Sequence, residues 1–358
     1  MKTKHLFLGL LATALTFTSC NEDEGVDFTP VVPGAYENGI IVTNEGNFGQ
    51  GNASVSYVSN DFSTTQNGIF TAVSGNPLGD TAQSMAFYND LAYIVVNGSN
   101  KIEVVNRNTF VSVATIDSGL ENPRNMVFAN GKGYVTNWGD VSDATDDYIA
   151  VLDLGTNTVT SSIAIEKGPE QILVANGKIY VSHKWGDNSV INSIDLSTNV
   201  ISSITVGATP DEMVLDASNN IWVISEGNSV YATTSPWPII GNNGAFLQKI
   251  NTSTDVVELS LAFPTDEFAT TLAYDNGMVY YYANSRIFKM DELATALPTA
   301  QIIDVTLYEG LAVKGSYIYG TKADFTAGTG ELVIYSATDN SLVGTKTLQV
   351  GSSKIYFN

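Results

Sequence analysis

The chain has 358 residues, of which 44% are hydrophobic and 15% charged, enough for two average domains or one large repetitive domain. Its 37 acidic residues outnumber its 16 basic ones and give a net charge of −21, which argues against nucleic acid and anionic lipid headgroups as partners. With one cysteine and two histidines, it supports neither a disulfide framework nor a multi-histidine metal centre.

The first 19 residues have the organisation of a bacterial signal peptide. Lys2 and Lys4 supply positive charge, and residues 6–17 form an apolar stretch too short to span a bilayer. The segment ends in FTSC, which resembles a lipoprotein signal. We therefore predict a signal peptide at residues 1–19 and a lipid anchor on Cys20, the sole cysteine. An ordinary cleaved signal with an incidental cysteine is the alternative.

Residues 20–37 are predicted to form a lipid-anchored, flexible acidic tether. The run NEDEG follows Cys20, and Pro30 and Pro33 break regular structure. The acidic run resembles the export signal of surface lipoproteins of Bacteroidota, which implies the cell-surface leaflet of the outer membrane. A solvated tether without an export role is the alternative.

A unit of four short strands recurs through the rest of the chain. Its clearest copy spans residues 168–207 and contains Asn176–Gly177, a strong hairpin signal. An aromatic residue follows the equivalent turn in six copies, with spacings of 41, 46, 42, 58 and 39 residues. The six are Tyr93, Tyr134, Tyr180, Trp222, Tyr280 and Tyr319. The longest spacing contains the insertion ATTSPWPIIGNNG. Such a repeat predicts a β-propeller in which these aromatic residues pack the sheets.

Each end of the repeat region carries part of one further unit. The segment NGIIVTNEGNFGQGNASVSYVSN lacks a first strand, whereas the final SSKIYFN is a first strand alone. We therefore predict an all-β, seven-bladed β-propeller over residues 38–358. The C-terminal strand should close the ring by pairing into the first blade, with Phe357 close to Ile41. An open β-solenoid with capping units is the alternative.

The segment YVTN at Tyr134–Asn137 and its relatives YVSH and YIVV resemble the YVTN repeat of bacterial surface and periplasmic propellers. The opening IIVTNEGNFGQGNASVSYVS is similar to the start of the YncE-like surface lipoproteins of Bacteroidota, which include the BtuG type. The resemblance covers residues 38–358. It implies a lipoprotein that binds a cobamide, of the vitamin B12 type, and passes it to a TonB-dependent outer-membrane transporter.

In a propeller, the loops between the second and third strands share one face with the starts of the inner strands, and we call this the loop face. Aromatic, amide and charged side chains fall there. The candidate ligand-binding residues are Asn47, Phe48, Asn97, Arg124, Asn125, Trp138, Trp185, Glu226, Trp237, Lys322 and Phe325. Such a mixture suits a large amphiphilic ligand such as a corrin or a glycan. For Trp138 and Trp185, in NWGD and HKWGD, a turn-filling role is the alternative.

Two other groups of polar residues stand out. Those at the starts of the inner strands include Gln83, Glu170, Gln171, Asp211, Glu212, Glu309 and Lys354. The loop WGDVSDATDDYI carries Asp140, Asp143, Asp146 and Asp147, but their spacing does not match an EF-hand. We predict a solvated acidic loop, with calcium binding as the alternative, and neither a resident metal nor a cofactor.

The residue inventory gives little support to catalysis. His183 is the only histidine beyond the predicted signal peptide, and neither a Ser-His-Asp set nor a phosphate-binding glycine loop is visible. We predict a non-enzymatic nutrient-binding protein that is monomeric outside the transporter complex. The alternatives are an adhesive or structural envelope propeller that binds protein or glycan, and a divalent-metal-dependent, lactonase-like hydrolase.

Overall fold

The computed structural model describes residues 34–358 apart from residues 144, 187, 238 and 266. The predicted signal peptide, Cys20 and most of the predicted tether lie outside the described residues. Seven four-stranded antiparallel sheets form the seven blades of a β-propeller, which confirms the predicted fold. Tight turns join the strands: Asn176 and Gly177, for example, have φ values of 46° and 77°, as a two-residue hairpin turn requires.

The strands are numbered along the chain. Blade 1 holds β1 (Gly39–Asn44), β2 (Ser54–Ser59), β3 (Thr65–Gln66) and the last strand, β30 (Ser352–Phe357). Blade 2 holds β4 (Ala82–Tyr88), β5 (Leu91–Val96), β6 (Lys101–Asn106) and β7 (Ser112–Ile116). Blade 3 holds β8 (Pro123–Ala129), β9 (Lys132–Asn137), β10 (Tyr148–Asp153) and β11 (Thr158–Ala164). Blade 4 holds β12 (Pro169–Ala175), β13 (Lys178–His183), β14 (Val190–Asp195) and β15 (Ile201–Thr205).

Blade 5 holds β16 (Pro210–Leu215), β17 (Ile221–Ser225), β20 (Phe246–Asn251) and β21 (Val256–Ala262). The insertion between its second and third strands forms a separate hairpin, β18 (Asn228–Tyr231) and β19 (Ile239–Asn243). Blade 6 holds β22 (Ala269–Asp275), β23 (Met278–Ala283), β24 (Arg286–Asp291) and β25 (Ile303–Asp304). Blade 7 holds β26 (Leu311–Lys314), β27 (Tyr317–Asp324), β28 (Thr329–Ser336) and β29 (Leu342–Gln349). A short helix α1 (Ile69–Ser74) links blades 1 and 2, and a 3₁₀ turn follows β5 at Asn97–Ser99.

The ring closes between the two ends of the chain, as predicted. Strand β30 pairs antiparallel with β1, with Phe357 opposite Ile40 and Tyr356 opposite Ile41. The last residue adds side-chain contacts, since the Asn358 amide donates to the carbonyl oxygens of Tyr36 (2.7 Å) and Arg107 (2.8 Å). The inner edge of blade 1 is therefore paired and not open to other strands.

The hydrophobic core is a ring of separate interfaces between the sheets. Within the described part of the chain, each of seven buried clusters joins one blade to its neighbour. The six repeat aromatic residues all lie in these interfaces and are at most 7% exposed. Their predicted role in packing the sheets is thereby confirmed, and the blades are held as one rigid body around the axis.

Tyr36, in the last part of the predicted tether, packs against the propeller. Its side chain is 6% exposed, and its ring makes edge contacts with the rings of Tyr57 and Phe110. Among the described residues, no helix has both the length and the apolar character needed to cross a membrane.

Candidate functional site

β-bulges at the starts of inner strands turn polar residues toward the axis of the ring. In blade 3 the pairing of β8 with β9 skips from Pro123 to Met126, and in blade 4 that of β12 with β13 skips from Pro169 to Ile172. Bulged residues leave the ladder, and bulges are frequent beside functional sites. The residues skipped in blades 3 to 5 are Arg124, Asn125, Glu170, Gln171, Asp211 and Glu212.

In several blades, a hydroxyl group on the second strand accepts a hydrogen bond from the backbone at the start of the inner strand. The Thr136 hydroxyl, from the YVTN segment, accepts the backbone N–H of Asn125 (3.0 Å) and donates to the Glu170 carbonyl of the next blade (2.8 Å). Ser182 and Thr321 accept the corresponding backbone N–H groups in blades 4 and 7. The repeat motif thus fixes the backbone that presents the axial residues.

These residues enclose an axial cavity of about 300 Å³ on the loop face. Five acidic and three basic side chains are part of its lining. The lining residues are Gln83, Arg124, Glu170, Lys184, Asp211, Glu212, Glu226, Thr270, Thr271, Tyr308, Glu309 and Lys354. The cavity is therefore strongly polar, with an excess of negative charge.

A second cavity of about 400 Å³ lies along the same axis and has a more apolar lining. The two cavities share Glu212, Thr271, Glu309 and Lys354. Lys354 comes from the inner strand of blade 1 and forms an ion pair with Glu212 from the inner strand of blade 5. Because these blades are not neighbours, the ion pair crosses the axis and separates the two cavities.

Ion pairs between neighbouring blades occupy one side of the axial cavity. Arg124 makes two hydrogen bonds with Glu170 (2.9 and 3.0 Å), and Lys184 contacts Asp211 (2.5 Å) and Glu226 (3.4 Å). Burial alone would lower the pKa of Lys184, but the charges of Asp211, Glu226 and Glu170 outweigh it and raise that pKa. Burial also raises the pKa of Glu226 to about 7, although Lys184 opposes the shift.

The other side of the cavity is formed by Gln83, Tyr308 and Glu309, from blades 2 and 7. Glu45 of blade 1 contacts Tyr308 but is not part of the cavity lining. We call these four residues the acidic wall. The Tyr308 hydroxyl donates to a Glu45 carboxylate oxygen at 2.9 Å. Burial and the charge of Glu309 raise the pKa of Glu45 to about 7. Among the described residues, neither carboxylate takes part in an ion pair.

The predicted tryptophan pair lies at the cavity rim. The rings of Trp138 and Trp185 meet edge to face with centroids 5.2 Å apart. The Trp138 N–H donates to the Pro169 carbonyl (3.1 Å), and the Arg124 guanidinium lies 4.3 Å from the centre of the Trp138 ring. Both rings are half-buried, so the pair supports the Arg124 side chain and also leaves apolar surface at the rim.

Three predicted aromatic residues are exposed around this face. Phe48 is 83% exposed, Trp237 60% and Phe325 46%. Phe325 makes an edge contact with Tyr308 of the acidic wall, with centroids 5.5 Å apart. Trp237 lies in the blade 5 insertion, whose first strand begins two residues after Glu226.

The remaining predicted residues differ in their relation to the axial cavity. Asn125 lines the second cavity and donates to the Glu170 carbonyl (3.2 Å). Asn97 is only 7% exposed and donates to the Pro123 carbonyl (3.1 Å), so its amide supports the fold. Asn47 and Lys322 do not line either axial cavity, and the Lys322 ammonium lies 3.7 Å from Glu331.

The sequence predicted Arg124 and Glu226 as binding residues. It also indicated polar residues at the starts of inner strands that line the cavity, without assigning them to a site: Gln83, Glu170, Asp211, Glu212, Glu309 and Lys354. Tyr308, Thr270 and Thr271 carried no motif. The place of each residue within the repeat is the feature of the sequence that indicates the cavity lining. Apart from loop residues such as Lys184 and Glu226, the lining residues stand at or beside the start of an inner strand.

The acidic loop and His183 lie apart from the axial cavity. Asp140 and Asp143 accept hydrogen bonds from Ser142 and Thr145, two residues further along the chain. His183 is buried, with its ring nitrogens 3.1 Å from the Lys167 carbonyl and 2.9 Å from the Asn192 side chain. Within the described ranges, no three His, Cys, Asp or Glu side chains are grouped so as to hold a metal ion.

Comparisons with known proteins agree with the architecture. A family model described as "Domain of unknown function (DUF5074)" matches residues 38–350. No curated protein matches the sequence. Similar solved structures include a functionally unknown protein from Desulfotomaculum acetoxidans (13% identity, TM-score 0.63, covering 90% of this chain and 99% of that chain).

Two further structures have the same fold at low identity. Hydrazine synthase from Kuenenia stuttgartiensis has 13% identity and a TM-score of 0.59, covering 80% of this chain and 90% of that chain. The dihydro-heme d1 dehydrogenase NirN in complex with DHE has 13% identity and a TM-score of 0.55, covering 89% and 75%. At these identities the likeness shows the fold alone.

Proposed function

This chain belongs to the DUF5074 family, and we propose that it is a cell-surface binding protein that captures a nutrient on its loop face without chemical turnover. One observation carries the proposal: a polar axial cavity opens among aromatic side chains contributed by several blades. Ligand sites commonly combine apolar surface with a few fixed polar groups. Because the closed ring fixes the loops, little ordering cost is expected on binding.

The favoured nutrient is a cobamide, passed on to a TonB-dependent outer-membrane transporter. This part of the proposal comes from the resemblance to YncE-like, BtuG-type lipoproteins. The chemistry of the face is compatible with it, since a corrin offers a broad apolar surface edged with amides. Phe48, Trp237 and Phe325 would supply flat apolar contacts, and the polar rim would supply hydrogen bonds.

Calorimetric titration with cyanocobalamin tests the proposed ligand. We expect saturable heat and a higher melting temperature for the complex. Phe48→Ala and Trp237→Ala should each weaken binding about tenfold while leaving the melting temperature of the free protein unchanged, because both side chains are exposed. Leu293→Ala, which truncates another exposed apolar residue on the opposite face, is the matched control.

If cyanocobalamin produces neither heat nor a shift in the melting temperature, the cobamide is removed from the proposal. The adhesive alternative would then be favoured if immobilised envelope glycans retained the protein through the same aromatic residues.

The surface location has its own test. Cys20→Ser is expected to release the protein from the membrane fraction, because the acyl chains provide the anchor. Protease added to intact cells should cleave the unmodified protein, and protection from that protease would place it on the periplasmic side.

A further inference from the structure

We propose that the axial cavity binds an organic cation, with an ammonium or guanidinium group seated on the acidic wall. This inference rests on the proposed function, because it takes the loop face as the binding surface. It specifies that the ligand group entering the cavity is positively charged, and it does not depend on the ligand being a cobamide.

The distribution of charge across the cavity is the first support. The three basic side chains of the lining are already paired: Arg124 with Glu170, Lys184 with Asp211, and Lys354 with Glu212. Glu309 lines the remaining space, and its negative charge acts on Glu45, which lies next to the lining residue Tyr308. Lys354 and Arg124 act on these carboxylates only at a distance, without an ion pair. A cation beside Glu309 would add a direct counter-charge in a partly enclosed site, where Coulomb attraction is stronger than in water.

Gln83 provides an independent observation. Its residue is only 6% exposed and it lines the cavity, yet its side-chain amide has no hydrogen-bond partner among the described residues. Among the described residues, Trp222 Nε1 is the only fully buried side-chain polar atom without a partner, so the Gln83 amide is accessible from the cavity to water or to a ligand. The amide oxygen can accept an N–H from a bound ammonium or guanidinium group, which neither a chloride ion nor an apolar ligand would offer.

Tyr308 fixes the position of a carboxylate in the acidic wall. Its hydroxyl donates to one oxygen of Glu45 (2.9 Å), which fixes this carboxylate next to the cavity. The size of the cavity, about 300 Å³, and the absence of a three-ligand metal cluster in the described part of the chain favour an organic cation over a bare metal ion.

Protons compete with this ligand. The groups acting on Glu45 are Glu309, Tyr308, Lys354 and Arg124, and together with burial they place the pKa of Glu45 at about 7. A cation favours the ionised form of Glu45, so its binding should release a proton. Affinity should therefore rise from pH 6 to pH 8.

Four probes that each contain a four-carbon chain separate the effect of charge from that of size. Butylammonium and butylguanidinium carry the expected charge, butyramide is neutral, and butyrate is an anion. In calorimetry at pH 8 and low salt we expect saturable heat from at least one cation and none from butyramide or butyrate. The proposal is overturned if neither cation binds or if butyramide binds equally well.

Variants locate the binding on the acidic wall. Glu309→Gln and Glu45→Gln should each weaken cation binding at least tenfold, whereas Glu121→Gln, on an exposed loop, should have no effect. Because both wall substitutions remove repulsion between like charges, neither should lower the melting temperature. Gln83→Leu keeps every charge and removes the side-chain amide with its acceptor oxygen, so it should weaken binding even if a charge variant folds poorly.

The cation and cobalamin titrations distinguish the two proposals. Cation binding without cobalamin binding would leave this inference standing and remove the proposed nutrient. Cobalamin binding that is unaffected by Glu309→Gln, in a protein that binds neither cation, would remove this inference alone.

Discussion

Thr136 shows how a repeat motif that builds blades also shapes the site. Its hydroxyl satisfies a backbone N–H in the bulge of its own blade and a carbonyl in the bulge of the next. The position of Arg124 and Glu170 at the axis therefore depends on a residue that contacts no cavity.

Thr136→Val keeps the shape of this side chain and removes its hydrogen bonds. We expect a loss of about 1–3 kcal/mol in the free energy of unfolding, because the partly buried Asn125 N–H and the buried Glu170 carbonyl lose this partner. Urea denaturation measures the loss. Thr347→Val, on the exposed outer strand β29, is the control and should change stability by less than about 0.5 kcal/mol. Equal losses in the two variants would contradict the role of the hydroxyl.

The ionisation of Glu45 should appear in the pH dependence of stability. Its pKa in the folded protein is about 7, above the ordinary value of 4.5, so between these values the folded state holds a proton that the unfolded state has lost. Protonation of Glu45 therefore contributes at most about 3 kcal/mol to the free energy of unfolding. This contribution is fully present below pH 4.5 and is lost as pH rises through 7.

Glu45→Gln removes this titration and retains an acceptor for Tyr308. We expect its free energy of unfolding to exceed that of the unmodified protein increasingly between pH 5 and pH 8, as measured by urea denaturation at each pH. Parallel pH profiles for the two proteins would show that Glu45 titrates at its ordinary value.

At the scale of single elements, β30 has the greatest effect on the rest of the fold. It supplies the inner strand of blade 1, places Lys354 at the axis and is followed by Asn358, whose backbone N–H donates to the Gly39 carbonyl. One six-residue strand thus takes part in both closure of the ring and the architecture of the cavity.

A chain truncated after Gly351 should lose cooperative unfolding, because β1 is left with an unpaired edge and the clusters next to blade 1 are opened. A synthetic peptide of residues 352–358 should restore the thermal transition by adding the missing strand. The same peptide with Ile355→Pro, which cannot donate to the ladder, is the control. A cooperative transition in the truncated chain alone would contradict this account.

Across the whole molecule, the ion pair between Lys354 and Glu212 links opposite sides of the ring. Lys354→Met would leave Glu212 buried beside other carboxylates without its partner. We expect a loss of about 3 kcal/mol in the free energy of unfolding, most of it recovered in the double variant with Glu212→Leu. Lys322→Met, which breaks the exposed contact with Glu331, should cost at most about 1 kcal/mol. Guanidinium denaturation of the three variants and the unmodified protein tests this, and a small loss for Lys354→Met would contradict it.

The fold was predictable because its determinants are periodic. The turn at Asn176–Gly177, the repeated aromatic positions and the half-units at the two ends are local patterns that recur in the sequence, and they specify seven blades and the pairing of Ile41 with Tyr356.

The candidate site was predictable only in part. The cavity depends on which residues a bulge turns inward and on contacts across the ring, such as Lys354 with Glu212, which are 142 positions apart. No local pattern encodes such a distance. Tyr308 could not be selected for the same reason, since only the fold brings it to Glu45.

Ring closure by β30 also sets an order of events during synthesis. Residues 39–66 of blade 1 are synthesised before the other blades, whereas the inner strand of blade 1 is synthesised after them. Until then β1 presents a free edge that could recruit a strand from another nascent chain. A ribosome that stalls within blade 7 would therefore yield an open ring prone to swap strands with its neighbours, and a chaperone that shields β1 during export would increase the yield of folded protein.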